Sequence, residues 1–203
     1  MARLLLVRHA PTPETGTKLT GRLPGVGLGD TGRRAAQRTA ERLSDLKLAA
    51  VYASPIERTW ETAAIIAAPH GLQPVSEEGL VEVDYGKWSG RSLKSLSQLK
   101  AWWTVQVTPS RMTFPEGESL AAAQHRAVEA CERLAAAHGK ETIALVSHSD
   151  IIQSIVSHYL GQPLDLFSRI VISPTSVTVV DVPRQGIPRV MAVNTTGAEG
   201  SWR

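Results

Sequence analysis

Short unbroken apolar runs alternate along this chain with longer alanine-rich stretches. The runs at 4–7, 50–54, 73–76 and 142–147 predict strands, and the stretches at 31–46, 55–68, 119–138 and 150–160 predict helices. This strand–helix rhythm predicts an α/β fold, a three-layer α/β/α sandwich with a mostly parallel central sheet. Near the C-terminus, 176–182 and 189–194 are rich in β-formers and joined by Pro183-Arg184-Gln185-Gly186-Ile187-Pro188, which predicts a hairpin or an antiparallel edge strand. Between Gly86 and Gly117 the pattern loosens around Trp88, Trp102, Trp103 and several turn residues. We read 86–117 as a lid-like insertion containing one helix within a single domain spanning 1–203. The tail, 195–203, is polar and reads as mobile.

Local punctuation supports these elements. Ser54-Pro55-Ile56-Glu57 has the residues of an N-cap serine, a proline at the first helical position and a capping-box glutamate. Asp30 or Thr31 suits the N-cap of the preceding helix, and Gly139 stands where a left-handed helix end is expected. Cys131 continues the stripe Leu120, Ala123, Ala127 and Leu134, so it reads as core rather than as a nucleophile.

Composition narrows the class. At 203 residues with 42% hydrophobic and 20% charged, the chain has the make-up of one ordinary globular domain. A net charge of +3 without any lysine or arginine run gives no sign of a nucleic-acid-binding arm. A single cysteine excludes an intrachain disulfide. No apolar stretch approaches the ~20 residues of a membrane helix, and the N-terminal run is too short for a signal peptide. The expected compartment is the cytoplasm, with neither membrane nor nucleic acid as partner. A homodimer through a sheet edge or helix face stays open.

Chemistry collects where strands end. The first strand delivers Arg8 and His9, the second runs into a helix carrying Arg58, and the fourth ends at His148. Ligands of open α/β sheets bind beyond the carboxyl ends of the strands, so parallel strands bring these four residues to one pocket. Guanidinium forks match phosphate oxygens and stay charged throughout a reaction. A neutral imidazole can attack phosphorus, and a second one can hydrogen-bond the phosphoryl oxygens. The helix beginning near Ser149 adds backbone N–H groups. The arginines supply the positive charge, so no metal or cofactor is called for. The leaving oxygen needs a proton, and Glu82 or Asp84 in the segment after the third strand can give it; spacing alone does not choose between them. His70, His125, His138 and His158 lie in or beside helices without matching partners and read as structural, and Arg33, Arg34 and Arg38 as a solvated helix face.

Four motifs in order, Arg8-His9-Ala10 after an apolar strand, Ser54-Pro55 with Arg58 and Thr62-Ala63, Glu82 with Gly86 and Trp88, and Val146-Ser147-His148, resemble the histidine phosphatase superfamily, in the branch that includes cofactor-dependent phosphoglycerate mutase. The resemblance implies that His9 is the phosphorylated nucleophile, that Arg8, Arg58 and His148 complete the phosphate pocket, and that Glu82 rather than Asp84 is the proton donor. It implies that Gly21-Arg22 belongs to a substrate loop where Arg22 meets substrate, and that Ser119 caps a helix before it serves as a ligand. Three positions depart from the family pattern: Ala10 stands for a glycine, Thr15 for a phosphate-contacting asparagine, and Ser149 for a glycine, where its hydroxyl adds a contact. The expected activity is metal-independent hydrolysis of a small phosphorylated metabolite through a phosphohistidine. A mutase-type return of the phosphoryl group is the alternative, disfavoured by the short insertion and tail, and a non-catalytic phospho-ligand-binding module is a more distant one.

Overall fold

The computed structural model describes residues 1–197; the greater part of the polar tail, 198–203, lies outside them. A six-stranded sheet in the order β3-β2-β4-β1-β5-β6 forms the middle layer. Its strands are β1 (Ala2–Arg8), β2 (Leu48–Ala53), β3 (Pro74–Ser76), β4 (Thr142–Ser147), β5 (Val177–Val182) and β6 (Arg189–Thr195). The β1–β4, β4–β2 and β2–β3 pairs are parallel. The antiparallel edge expected from the sequence is a pair, β5 running against β1 and β6 against β5. β5 is buried along its whole length, which is why its Val-Thr-Val-Val-Asp-Val run is nearly continuous in apolar residues.

β1 sends alternate side chains to two cores. Leu4 and Leu6 pack with α5 (Leu120–His138) and α6 (Ser149–Tyr159), through Ala123, Ala127, Cys131, Ile152 and Ile155. Leu5 and Val7 pack on the opposite face with α1 (Asp30–Leu43) and α2 (Glu57–Ala67), through Ala40, Leu43, Ala63 and Ile66. The result is helix, sheet, helix. Burying the Cys131 thiol completely pushes its pKa above the usual range, consistent with a core residue rather than a reactive thiolate.

Two helix starts differ from the sequence reading. α1 begins after Gly29, without a side-chain cap from Asp30 or Thr31. α2 begins two residues later than the Ser54-Pro55 signature suggests, with Ile56 at its N-cap; the Ser54 hydroxyl still accepts the Ile56 N–H at 3.4 Å and also meets His148 in the site described below. Ser119 does cap α5, accepting the Ala122 N–H at 3.1 Å. The 86–117 segment holds two short helices instead of one, α3 (Leu93–Leu96) and α4 (Lys100–Val107). Trp102 of α4 packs at 6.1 Å on Trp88, whereas its neighbour Trp103 is 70% exposed. The segment is pinned at Gly86, whose φ is +49° and where a Cβ would stand 2.1 Å from the Pro115 carbonyl oxygen.

Candidate active site

The carboxyl ends of β1, β4 and β2 lie side by side. Arg8 pairs with Ser147 across the parallel ladder, so the residues that follow, His9 and His148, are brought together with ring centroids 5.2 Å apart. The Ser54 N–H bonds the Val146 carbonyl at 3.0 Å, placing the Ser54 hydroxyl on the far side of His148. Arg58 reaches in from the first turn of α2 and is almost wholly buried. Thr62, one turn further on, accepts the Ala10 N–H at 3.0 Å and donates to the Arg58 carbonyl at 2.7 Å. That bond locks the segment after His9 onto α2, and the methyl of Ala10 is accommodated against Leu28 and Ala36.

The hydrogen bonds determine both tautomers. His9 Nδ1 lies 2.8 Å from the Ala10 carbonyl oxygen, which can only accept, so Nδ1 carries the proton and Nε2 keeps its lone pair. Arg58 Nε donates to that Nε2 at 3.3 Å. Burial, followed by the charge of Arg58, holds the His9 pKa down at about 3, so the ring is neutral at physiological pH. At His148, Nδ1 receives Arg58 Nη2 at 3.1 Å, so Nε2 carries the proton and donates it to Ser54 Oγ at 2.9 Å. Burial and Arg58 also push the His148 pKa well down. His148 therefore sits one layer deeper than the sequence reading has it. It is fully buried, does not line the cleft, and has no N–H left for a phosphoryl oxygen. Its Nδ1 is turned to Arg58, and its ring meets that of His9 edge-on.

Both arginines keep unspent donors. Arg58 Nη2 bonds the Gly21 carbonyl at 2.7 Å and Arg8 Nη1 bonds the Ile172 carbonyl, yet Arg58 Nη1 and Arg8 Nε are buried without a partner. Burying guanidinium groups this way is costly unless an anion completes them. α6 begins beside them with no side chain capping its first N–H groups, which adds a partial positive charge.

Glu82 faces the same cleft. Its Oε1 accepts the Val83 N–H at 2.9 Å and its Oε2 lies 3.7 Å from His148 Nδ1. Burial first, then the neighbouring Asp150 carboxylate, raises the Glu82 pKa from 4.5 to about 7. Asp84 does not line the cleft; its carboxylate accepts the Gly86 N–H at 3.0 Å in the turn below. Geometry thus separates the two acids that spacing left equal.

Arg22 departs from the expected substrate contact. It is absent from the cleft wall; its Nε donates to the Glu82 carbonyl at 2.7 Å and its Nη2 to Glu118 at 2.7 Å. Arg126 reaches the same Glu82 carbonyl at 3.2 Å. The buried carbonyl and the Glu118 carboxylate outcompete the cleft for these guanidiniums, so Arg22 braces the main chain of Glu82. Gly21 and Thr15 do line the cleft, but the Thr15 hydroxyl already accepts the Thr12 N–H at 2.8 Å. Ser149 lines it as well, with its hydroxyl at 3.5 Å from the Ile172 carbonyl.

Sequence reasoning missed Ser54 as the partner of His148, and it missed the Asp150–Tyr85 pair. Tyr85 donates its hydroxyl to Asp150 Oδ2 at 2.8 Å, and both residues line the cleft. A signal for Asp150 was present: an acid two residues after His148, in the first turn of a helix aimed at an anion pocket. The cleft has a volume of about 330 Å³. Among the described residues, no group of three or more histidine, cysteine or acidic side chains is arranged to hold a metal ion, and no helix is long and apolar enough to cross a membrane.

Comparison with known proteins bears on this site. The family model of the histidine phosphatase superfamily (branch 1) matches residues 4–196. Phosphoserine phosphatase 1 of Hydrogenobacter thermophilus is 31% identical over 82% of this chain and 80% of its own length. Phosphoglycerate mutase-like protein 4 of Arabidopsis thaliana is 35% identical over 76% of this chain and 69% of its own. Among solved structures, YhfR of Bacillus stearothermophilus superposes with a TM-score of 0.91 at 27% identity, covering 98% of this chain and 99% of its own.

Proposed function

The chain belongs to the histidine phosphatase superfamily, branch 1, and on that premise we propose that it is a cytoplasmic phosphatase that hydrolyses small phosphomonoesters through a phosphohistidine at His9. The observation that carries this reading is the pair of unpartnered, buried guanidinium donors, Arg8 Nε and Arg58 Nη1, beside His9 Nε2, a histidine nitrogen that carries no proton and is held by the Arg58 Nε–H at 3.3 Å.

In the first step the His9 Nε2 lone pair forms a bond to phosphorus while the ester P–O bond breaks. Arg8, Arg58 and the first N–H groups of α6 hold the phosphoryl oxygens, where donors placed in advance stabilise the developing charge. The departing alkoxide takes the proton of Glu82, a carboxylic acid kept partly protonated near neutral pH by its burial. In the second step the Glu82 carboxylate accepts a proton from water as that water attacks phosphorus. The P–N bond breaks, its electron pair returns to Nε2, and inorganic phosphate leaves. His148 acts as a positioning residue that holds Arg58 beside His9.

The relatives' names include both phosphatase and mutase-like proteins. The mutase alternative differs only in the acceptor, since the phosphoryl group returns to a substrate hydroxyl instead of to water. The test is incubation with a phosphomonoester labelled with ³²P, followed by alkaline quench. The wild type is expected to release inorganic phosphate and to carry an acid-labile, base-stable label, and His9→Ala to do neither. Label or turnover surviving in His9→Ala, or phosphoryl transfer between substrates with little release of phosphate, refutes the proposal.

A further inference from the structure

We propose, on the strength of the phosphatase reading above, that the cleft selects phosphomonoesters whose alcohol is uncharged and apolar, a ring-bearing alcohol above all, and disfavours substrates with a second anionic group. The cleft lining holds two unlike sets of side chains. His9, Arg8 and Arg58 form the phosphate-binding set. The apolar set includes Trp88, Leu93, Trp102, Val105, Phe114 and Phe167.

This apolar wall is built rather than incidental. Trp88 and Trp102 stack with centroids 6.1 Å apart and planes at 25°. Phe114 meets Trp88 edge-on at 5.3 Å and Tyr85 edge-on at 4.9 Å. Aromatic groups fixed against one another present a preformed surface to a flat apolar ligand, and little ordering is left to oppose binding.

Charge argues the same way. Besides the phosphate-holding Arg8 and Arg58, Lys18 is the other cation among the described cleft-lining residues, and it is tied to Glu14 at 3.0 Å. Asp150 and Glu82 add carboxyl groups to the lining. Arg22, which could have met a substrate carboxylate, is committed to Glu118 and the Glu82 carbonyl. A second anion on the substrate would give up its water without gaining an unpaired cation. A volume of about 330 Å³ lies at the small end of the roughly 300–1,000 Å³ usual for ligand pockets, which fits a phosphoryl group with one or two rings. This class differs from the phosphoserine in the name of one relative.

The test compares esters of primary alkyl alcohols, so that leaving-group chemistry does not dominate: 2-phenylethyl phosphate, glycerol 3-phosphate and O-phosphoserine. The expected kcat/KM falls in that order, with at least tenfold between the first and the last and most of the difference in KM. Gln106→Arg places a cation at an exposed position of α4 that lines the cleft. It is expected to raise kcat/KM for O-phosphoserine severalfold without helping 2-phenylethyl phosphate. Equal or better use of O-phosphoserine by the wild type overturns the proposal. If none of the three esters is hydrolysed, their binding to the wild type, followed by tryptophan fluorescence, decides separately. Tighter binding of 2-phenylethyl phosphate then keeps the ligand class and removes the hydrolytic reading, while equal or weaker binding removes the ligand class.

Discussion

Replacing Glu82 with glutamine separates what its proton does for the reaction from what its burial does to the fold. Glutamine keeps the volume of the side chain and an oxygen to accept the Val83 N–H, held at 2.9 Å in the wild type, but has no proton to give and no charge to bury. The Glu82 carboxyl is raised from 4.5 to about 7, by burial first and by Asp150 second. A carboxyl that holds its proton more tightly in the folded state stabilises the protein fully below the unfolded pKa. That contribution is lost as pH rises through the folded pKa. Between pH 4.5 and 7 the loss is on the order of 3 kcal/mol, at about 1.4 kcal/mol for each pKa unit. Glu82→Gln is therefore expected to be more stable than the wild type at pH 8 by up to roughly that amount, and to match it at pH 4.

Catalysis should move the opposite way. Without the acid, kcat for an alkyl ester is expected to fall by ~10²–10⁴. p-Nitrophenyl phosphate, whose leaving group departs readily as an anion, should lose much less. In the wild type, activity on alkyl esters is expected to decline as pH rises through about 7, as Glu82 loses its proton, and the variant is expected to lack this decline. Urea unfolding at the two pH values and steady-state kinetics from pH 4 to 9 give both readouts. An equal stability difference at pH 4 and pH 8, or an alkaline decline that survives in Glu82→Gln, refutes the reasoning.

Asp150→Asn removes the second cause of the raised Glu82 pKa, so the alkaline decline in kcat/KM should shift to lower pH; a shift upward counts against the coupling. Ser54→Ala removes the acceptor of the His148 Nε2 proton and should lower kcat about tenfold, on the order of 1.4 kcal/mol in the barrier, with KM little changed and Ser54→Thr retaining more activity. Gly86→Ala forces a Cβ to within 2.1 Å of the Pro115 carbonyl oxygen at a φ of +49°, and should cost about 2 kcal/mol or more in urea unfolding.

The sheet was legible because burial on both faces leaves apolar runs whose ends are marked by a change of chemistry. Leu4 to Val7 stop at Arg8-His9, and the run ending at Val146-Ser147 stops at His148; parallel pairing in register then brings the ends together. Where one residue serves two purposes, local rules misassign it. Ser54 matches a helix N-cap and its hydroxyl does accept the Ile56 N–H at 3.4 Å, but the same oxygen lies 2.9 Å from His148 Nε2 and α2 starts two residues later, and neither fact is visible in the local pattern. Arg22 has the right place in the chain to meet substrate and the wrong partners around it, because Glu118 lies 96 positions away in sequence and 2.7 Å away in space.

The same contrast explains why the strand-end arginines and histidines stand out in the chain and the apolar lining of the cleft does not. Holding a phosphoryl group demands particular residue types, and arginine or histidine at a strand end is conspicuous against an apolar background. Holding an apolar alcohol demands only shape, which many residues supply. Trp88 and Trp102 become a wall because the turn at Gly86 and helix α4 bring them within 6.1 Å, and nothing in their local pattern distinguishes Trp102 from Trp103, which points to solvent. On the proposed reading, specificity there also depends on the lack, among the described cleft-lining residues, of an unpaired cation beyond Arg8 and Arg58. Arg22 reads as a substrate contact in the sequence and is committed in the fold to Glu118, while Lys18 pairs with Glu14.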